Sequence, residues 1–152
     1  MSTESKKWSE RALAPAYKPS VGLRNVGSYQ VSGHPYVTGS TVANGAEHHV
    51  KFPFVSKSVT IIASGSSADP LLWVGFRPIQ EGATDTKVAT GKHYITLDSH
   101  GDSMTFDVKC AEVFIHAKKA NSGFELYASL TNIPTGSMYT LSGEGIDKLG
   151  DT

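Results

Sequence analysis

Three stretches of the chain hold residue types that can do chemistry: Glu47-His48-His49, Asp98-Ser99-His100-Gly101-Asp102-Ser103, and the single cysteine, Cys110. The first offers imidazole and carboxylate ligands to a metal ion. On a strand, however, successive side chains leave opposite faces, so His48 and His49 diverge, and a zinc site would need His34, His93, His100 or His116 brought in by folding. The second stretch has the residue types of a hydrolytic triad and some oxygen ligands for calcium. A triad is assembled from separated loops so that nucleophile, base and orienting acid line up, whereas neighbours in one tight turn point apart. A calcium loop needs more acids at alternating positions than Asp98 and Asp102 supply. Asp, Ser and Gly are what a hairpin connection asks for, with Gly101 at a positive φ, and that is the expectation here. Cys110 sits in Asp107-Val108-Lys109-Cys110-Ala111, where alternation predicts a small buried strand residue rather than an activated thiolate. Nucleotide-binding glycine fingerprints, HExxH and GxSxG are all missing from the sequence. The residues therefore predict no enzyme, no cofactor and no metal.

The elements that would position any such residues are short strands. In Ala46–Phe54 the even-numbered residues point one way, placing Val50, Phe52 and Phe54 toward a core, and Pro53 marks an edge strand or a strand end. Ser58–Ala63 is apolar on both faces at its centre, as an inner strand is. Leu71–Phe76 is the most hydrophobic run and stops at Pro78, ahead of the polar loop Gln80–Thr86. Lys92–Leu97 and Ser103–Val108 follow, then Glu112–Ala117, the turn Lys118–Gly123, and Phe124–Leu130 with its even-numbered residues inward. Ser137–Leu141 is read as a last strand before a Gly-rich tail. Seven to eight strands at near-even spacing predict an all-β antiparallel sandwich, jelly-roll-like, over residues 45–152.

Residues 1–44 read differently. Charge, Trp8, Tyr17, Pro15 and Pro19 lead into a segment broken by Gly22, Gly27, Gly33, Pro35 and Gly39, with only short extended pieces at Ser28–Val31 and Pro35–Thr38. This is too polar to make a core of its own, and it is expected to be an extended N-terminal arm. Trp8, Tyr17, Leu23, Tyr29 and Tyr36 are its candidate anchors on a neighbouring subunit or on the domain's own flank. Tyr94 and Tyr127 face away from the core in their strands and are the candidate ligand or interface surface, since tyrosine is common at interfaces.

Bulk composition narrows the partners. The 152 residues carry 14 acids and 14 bases, 18% charged in all, which is low for a freely solvated monomer and suits β-structure and contact surfaces. Net neutrality argues against nucleic acid as a direct partner, because phosphate binding draws on a surplus of Lys and Arg. Lys6-Lys7 with Arg11, and Lys118-Lys119, read as solvated surface. One cysteine leaves no intrachain disulfide. Residues 8–15 lack the apolar run of a signal peptide, and no later stretch has the ~20 apolar residues of a membrane span, so the expectation is a soluble chain from a reducing compartment, without a membrane partner.

Arg24–Gly33, Phe52–Ile61 and Thr135–Gly143 together resemble small β-sandwich structural proteins of viruses and bacteriophages. The resemblance is one of style across most of the chain. It implies a capsid, capsid-decoration or tail-associated subunit present in many copies, localised to the virion after assembly in the host cytoplasm, with copies of itself and other virion proteins as partners and no catalysis. An arm fits this physically, since it adds contact area while its ordering cost is met only on assembly. The alternative from another class is a carbohydrate-binding sandwich, lectin-like or receptor-binding, that meets surface glycans through loops 64–70, 79–91 and 98–102 and Tyr94.

Overall fold

The computed structural model describes residues 22–24, 27, 34–66, 70–79, 93–143 and 145–146. Eight strands carry the fold: β1 (Pro35–Val42), β2 (Glu47–Lys51), β3 (Phe54–Gly65), β4 (Leu72–Gly75), β5 (Ile95–Leu97), β6 (Ser103–Phe106), β7 (Glu112–Ala117) and β8 (Ser122–Pro134). They form two four-stranded antiparallel sheets, β1-β8-β3-β6 and β2-β7-β4-β5. Within the sheets, β1 pairs with β8, β2 with β7, β3 with β6 and β4 with β5. That nested pairing is one long hairpin wound over itself, the jelly roll, and the all-β antiparallel sandwich expected from strand spacing is the fold.

Alternation explains which faces close on each other. Val59, Ile61 and Ala63 of β3, Phe124, Leu126, Ala128 and Leu130 of β8, Val113, Ile115 and Ala117 of β7 and Leu72 and Val74 of β4 are buried in one core cluster. A fully buried aliphatic or aromatic side chain of this kind stabilises by roughly 1.5–3 kcal/mol, so the facing sheets hold the fold without staples.

Several boundaries move from their sequence positions. Pro35–Val42, placed within the arm by its glycine and proline content, is an eight-residue strand. Its alternating burial and its unbroken register with β8 show why: long-range pairing supplies what local propensity withholds. The sandwich therefore starts at Pro35, ten residues ahead of the expected boundary at 45. Phe54 is 41% exposed while Val55 is fully buried, because the bend at Pro53 hands the chain to the other sheet and resets its facing. Ser137–Leu141 makes no strand. A 3-10 turn at Thr135–Ser137 ends β8, whose two sides are already taken by β1 and β3. The segment 138–141 instead lines a depression of about 140 Å³ with Phe76, Ala111 and Glu112, and Leu141 packs against the core.

The connection 98–102 also departs from expectation. It is a tight turn, but β5 and β6 lie in different sheets, so it crosses between layers rather than closing a hairpin. Gly101 does take φ +88°. Asp102 Oδ2 accepts the backbone N–H groups of Ser99 at 3.0 Å and Asp98 at 3.3 Å, and the turn is tied to β3 by Gly101 N–H to Ala63 O (2.9 Å) and Ala63 N–H to Asp102 O (2.7 Å).

Candidate functional site

The three chemically suggestive stretches are drawn into structure. Cys110 is buried in the connection between β6 and β7, not on a strand, with its Sγ 3.2 Å from Ser56 Oγ. Ser56 sits between two register shifts in β3, and that bulge turns its side chain inward. Its hydroxyl donates to Val108 O at 2.8 Å and accepts the Cys110 N–H at 3.2 Å, while its own N–H reaches Cys110 O at 2.9 Å. Burial pushes the Cys110 thiol up to about 11, the opposite of an activated nucleophile. Asp98, Ser99 and His100 are exposed, and the Asp102 carboxylate is spent on turn amides.

His48 and His49 do leave opposite faces of β2. His48 turns in, its ring 5.2 Å from that of Phe124, while His49 turns out, stacks on Phe114 at 4.2 Å and places Nε2 2.6 Å from Glu112 Oε2. Among the described residues no group of three or more His, Cys, Asp and Glu side chains could hold a metal ion. Among the described residues the core cluster lies between the two sheets, which leaves their outer faces to be compared.

The two outer faces differ in kind. On the second sheet, the registers place Glu47, His116, Trp73 and Thr96 in one row and His49, Phe114 and Gly75 in the next. His116 is 2% and Phe114 5% exposed although they point away from the core. The chain leaving β4 covers them. Ile79 is buried, its side chain comes up against Gly75, and its backbone N–H donates to Glu47 on β2, across the width of β7. A side chain at Gly75 would press on Ile79 and on the His93 backbone, so the glycine lets this strap lie flat. Beside it, Trp73 stacks on Tyr94 at 4.2 Å and faces the His116 ring at 5.6 Å, with Lys118 Nζ 4.7 Å from the Trp73 ring centre. Trp73 is thus half-buried on the outer face, although it belongs to the most hydrophobic run of the chain, and Tyr94 is held by it.

Among the described residues nothing covers the outer face of the first sheet, and its central rows carry little charge, with Lys57 exposed further along β3. Val37, Tyr127, Thr60 and Thr105 form one row across all four strands, and Gly39, Glu125, Ile62 and Ser103 the next. Glu125 is the lone charged residue across those two rows. Val37 is 71% and Tyr127 45% exposed, while Thr60 Oγ1 and Thr105 Oγ1 lie 2.9 Å apart and Ser129 Oγ is 3.4 Å from the Tyr127 hydroxyl. Exposed apolar and hydroxyl groups with few charges are the cheapest surface to desolvate against another molecule.

Of the residues singled out from sequence, Tyr127 stands on this open face and Tyr94 on the covered one. Tyr36, expected in the arm, lies on β1 and packs on the domain's own core: its ring meets Phe52 edge-on at 5.3 Å and its hydroxyl donates to Lys51 O at 3.3 Å. Leu23 is half-buried in a short turn. Trp8, Tyr17 and Tyr29, most of the arm, and the loop 80–92 lie outside the described residues. Sequence reasoning missed Val37 and the Glu47 tie to Ile79. Val37 was hidden because β1 was not read as a strand, and the tie because it joins residues 32 apart through one side chain.

No protein-family model matches the chain, and comparison with curated proteins finds no match.

Proposed function

We propose that this protein is a structural subunit of a virus particle, a capsid, capsid-decoration or tail-associated protein, that works by holding place among copies of itself. The observation that carries the reading is the nested β1·β8, β2·β7, β3·β6, β4·β5 jelly roll with a packed interior. Jelly rolls serve chiefly as capsid and lectin domains and as ligand-holding barrels, and a fold alone does not decide among them. The apolar cluster between the sheets weighs against the third use. The nearly uncharged outer face of the first sheet supports contact with protein, because burying it strands few charges. Copies of the chain and other virion proteins are the partners in this reading, and the virion is its location.

The test is removal of residues 1–33, which stops short of β1 and leaves β1 to β8 in place. The full chain sediments as large assemblies; the truncated chain keeps its cooperative melt and loses them. A truncated chain that assembles like the full one contradicts the role given to the lead-in.

A glycan-binding sandwich is the second reading, favoured by Tyr127, an exposed ring flanked by the Thr60, Thr105 and Ser129 hydroxyls. It predicts a chain that forms no large assemblies and whose melting temperature rises with a particular sugar, an effect lost in Tyr127→Ala.

A further inference from the structure

Each sheet has two edges, and they are not alike. β5 and β6 are three and four residues long, and β2 carries Glu47, His48, His49 and Lys51 along its five residues. β1 is eight residues, Pro-Tyr-Val-Thr-Gly-Ser-Thr-Val, with no charged side chain. Its register with β8 runs without a bulge from Pro35↔Ser129 to Val42↔Ser122, and among the described residues no strand pairs with its other side. Natural sheets blunt their edges with charge, brevity, bulges or proline, because an open edge is a row of unpaired backbone donors and acceptors that fits another strand. β2, β5 and β6 are blunted in these ways. β1 has only the proline at its first position.

We propose that β1 is the pairing edge for β1 of a second copy of this chain, antiparallel about a two-fold axis, which joins two four-stranded sheets into one of eight strands. Charge selects this occupant over a foreign strand. A two-fold contact brings each strand against itself, so any charge on it meets a like charge, and directly opposed like charges destabilise a sheet. A neutral strand escapes that penalty, whereas a site for a foreign strand gains from carrying charge to complement. Facing agrees as well. Residues opposite each other in an antiparallel pair share a face, so the outward pairs are drawn from Pro35, Val37, Gly39 and Thr41, and Val37 with its neighbour Tyr127 adds an apolar flank. The contact goes beyond the particle reading, since a two-fold dimer serves a shell subunit and a glycan binder equally.

Sedimentation velocity over a wide concentration range on the full chain, Val37→Lys and Met104→Lys tests it. Val37 points outward and is 71% exposed, so the lysine leaves the fold intact, and an unchanged melting curve checks this. Met104 lies on the opposite edge strand, β6, in register with the core residue Ile61 and 39% exposed, so an unchanged melting curve is required of its variant as well. The wild-type chain and Met104→Lys self-associate alike, while Val37→Lys weakens association roughly tenfold or more, as edge lysines do. Hydrogen exchange at the amides of residues 36–42 slows on association. A wild-type chain that stays monomeric, a Val37→Lys chain that associates as tightly as wild type, or equal losses in both variants overturns the proposal. So does a chain that pairs only once residues 1–33 are removed, because the edge would then be occupied by the chain's own lead-in.

Discussion

At the scale of single residues, the environment of a group that looks reactive decides what it can do. Cys110 is the clearest case. Its thiol is held neutral by burial to about 11, against 9.0 when free, so in the unfolded chain it loses its proton first. Stability from this group is therefore constant below pH 9 and falls as pH rises through 11, at about 1.4 kcal/mol per pH unit and by about 2–3 kcal/mol in all. Urea melts between pH 8 and 11 check this: the fall is present in the wild-type chain and is absent from Cys110→Ala after its own cavity loss is subtracted. Ser56 carries more structure than its size suggests. Ser56→Ala strands the Cys110 N–H and the Val108 carbonyl of the β6–β7 connection that faces the bulge, and a loss of about 1–3 kcal/mol is expected in chemical denaturation. The opposite facing of His48 and His49 and the positive φ of Gly101 were both legible from residue type and strand period. The buried hydroxyl network was not, since it depends on a bulge that no local pattern announces.

At the scale of elements, strand period located most of the sheet and failed where a strand looks like a loop. β3, β4, β7 and β8 announce themselves by apolar runs or, in β8, by clean alternation. β1 does not, because Pro35, Gly39 and Ser40 interrupt its strand-forming residues, and pairing with β8 overrides them. The turns can be separated experimentally through their glycines. A Cβ at Gly65, which holds φ +112°, would fall 2.3 Å from Asn121 O and 2.8 Å from Gly123 N, both backbone atoms that cannot move aside. Gly101 has φ +88° with open space around it. Gly101→Ala is thus expected to cost only the conformational strain of about 1–2 kcal/mol, while Gly65→Ala costs several or prevents folding. Thermal melts of the two variants side by side decide it. Equal effects would mean that the β3 to β8 approach at Gly65 is looser than the structure has it.

For the whole molecule, low charge and even strand spacing pointed to a sandwich that meets other molecules through its faces. The structure adds an apolar cluster between the sheets and two unequal outer faces, one strapped by the chain after β4 and one uncovered among the described residues. Sequence could not supply that asymmetry, because it arises from the long-range tie between Glu47 and the Ile79 backbone and from registers that align Val37, Tyr127, Thr60 and Thr105. The functional reading rests on the bare face and the open edge having work to do. Electron micrographs of the purified full chain, taken across a range of salt and protein concentration, put this most directly to the test. The account predicts particles, rings or arrays of uniform size. Single dispersed subunits under every condition would contradict it.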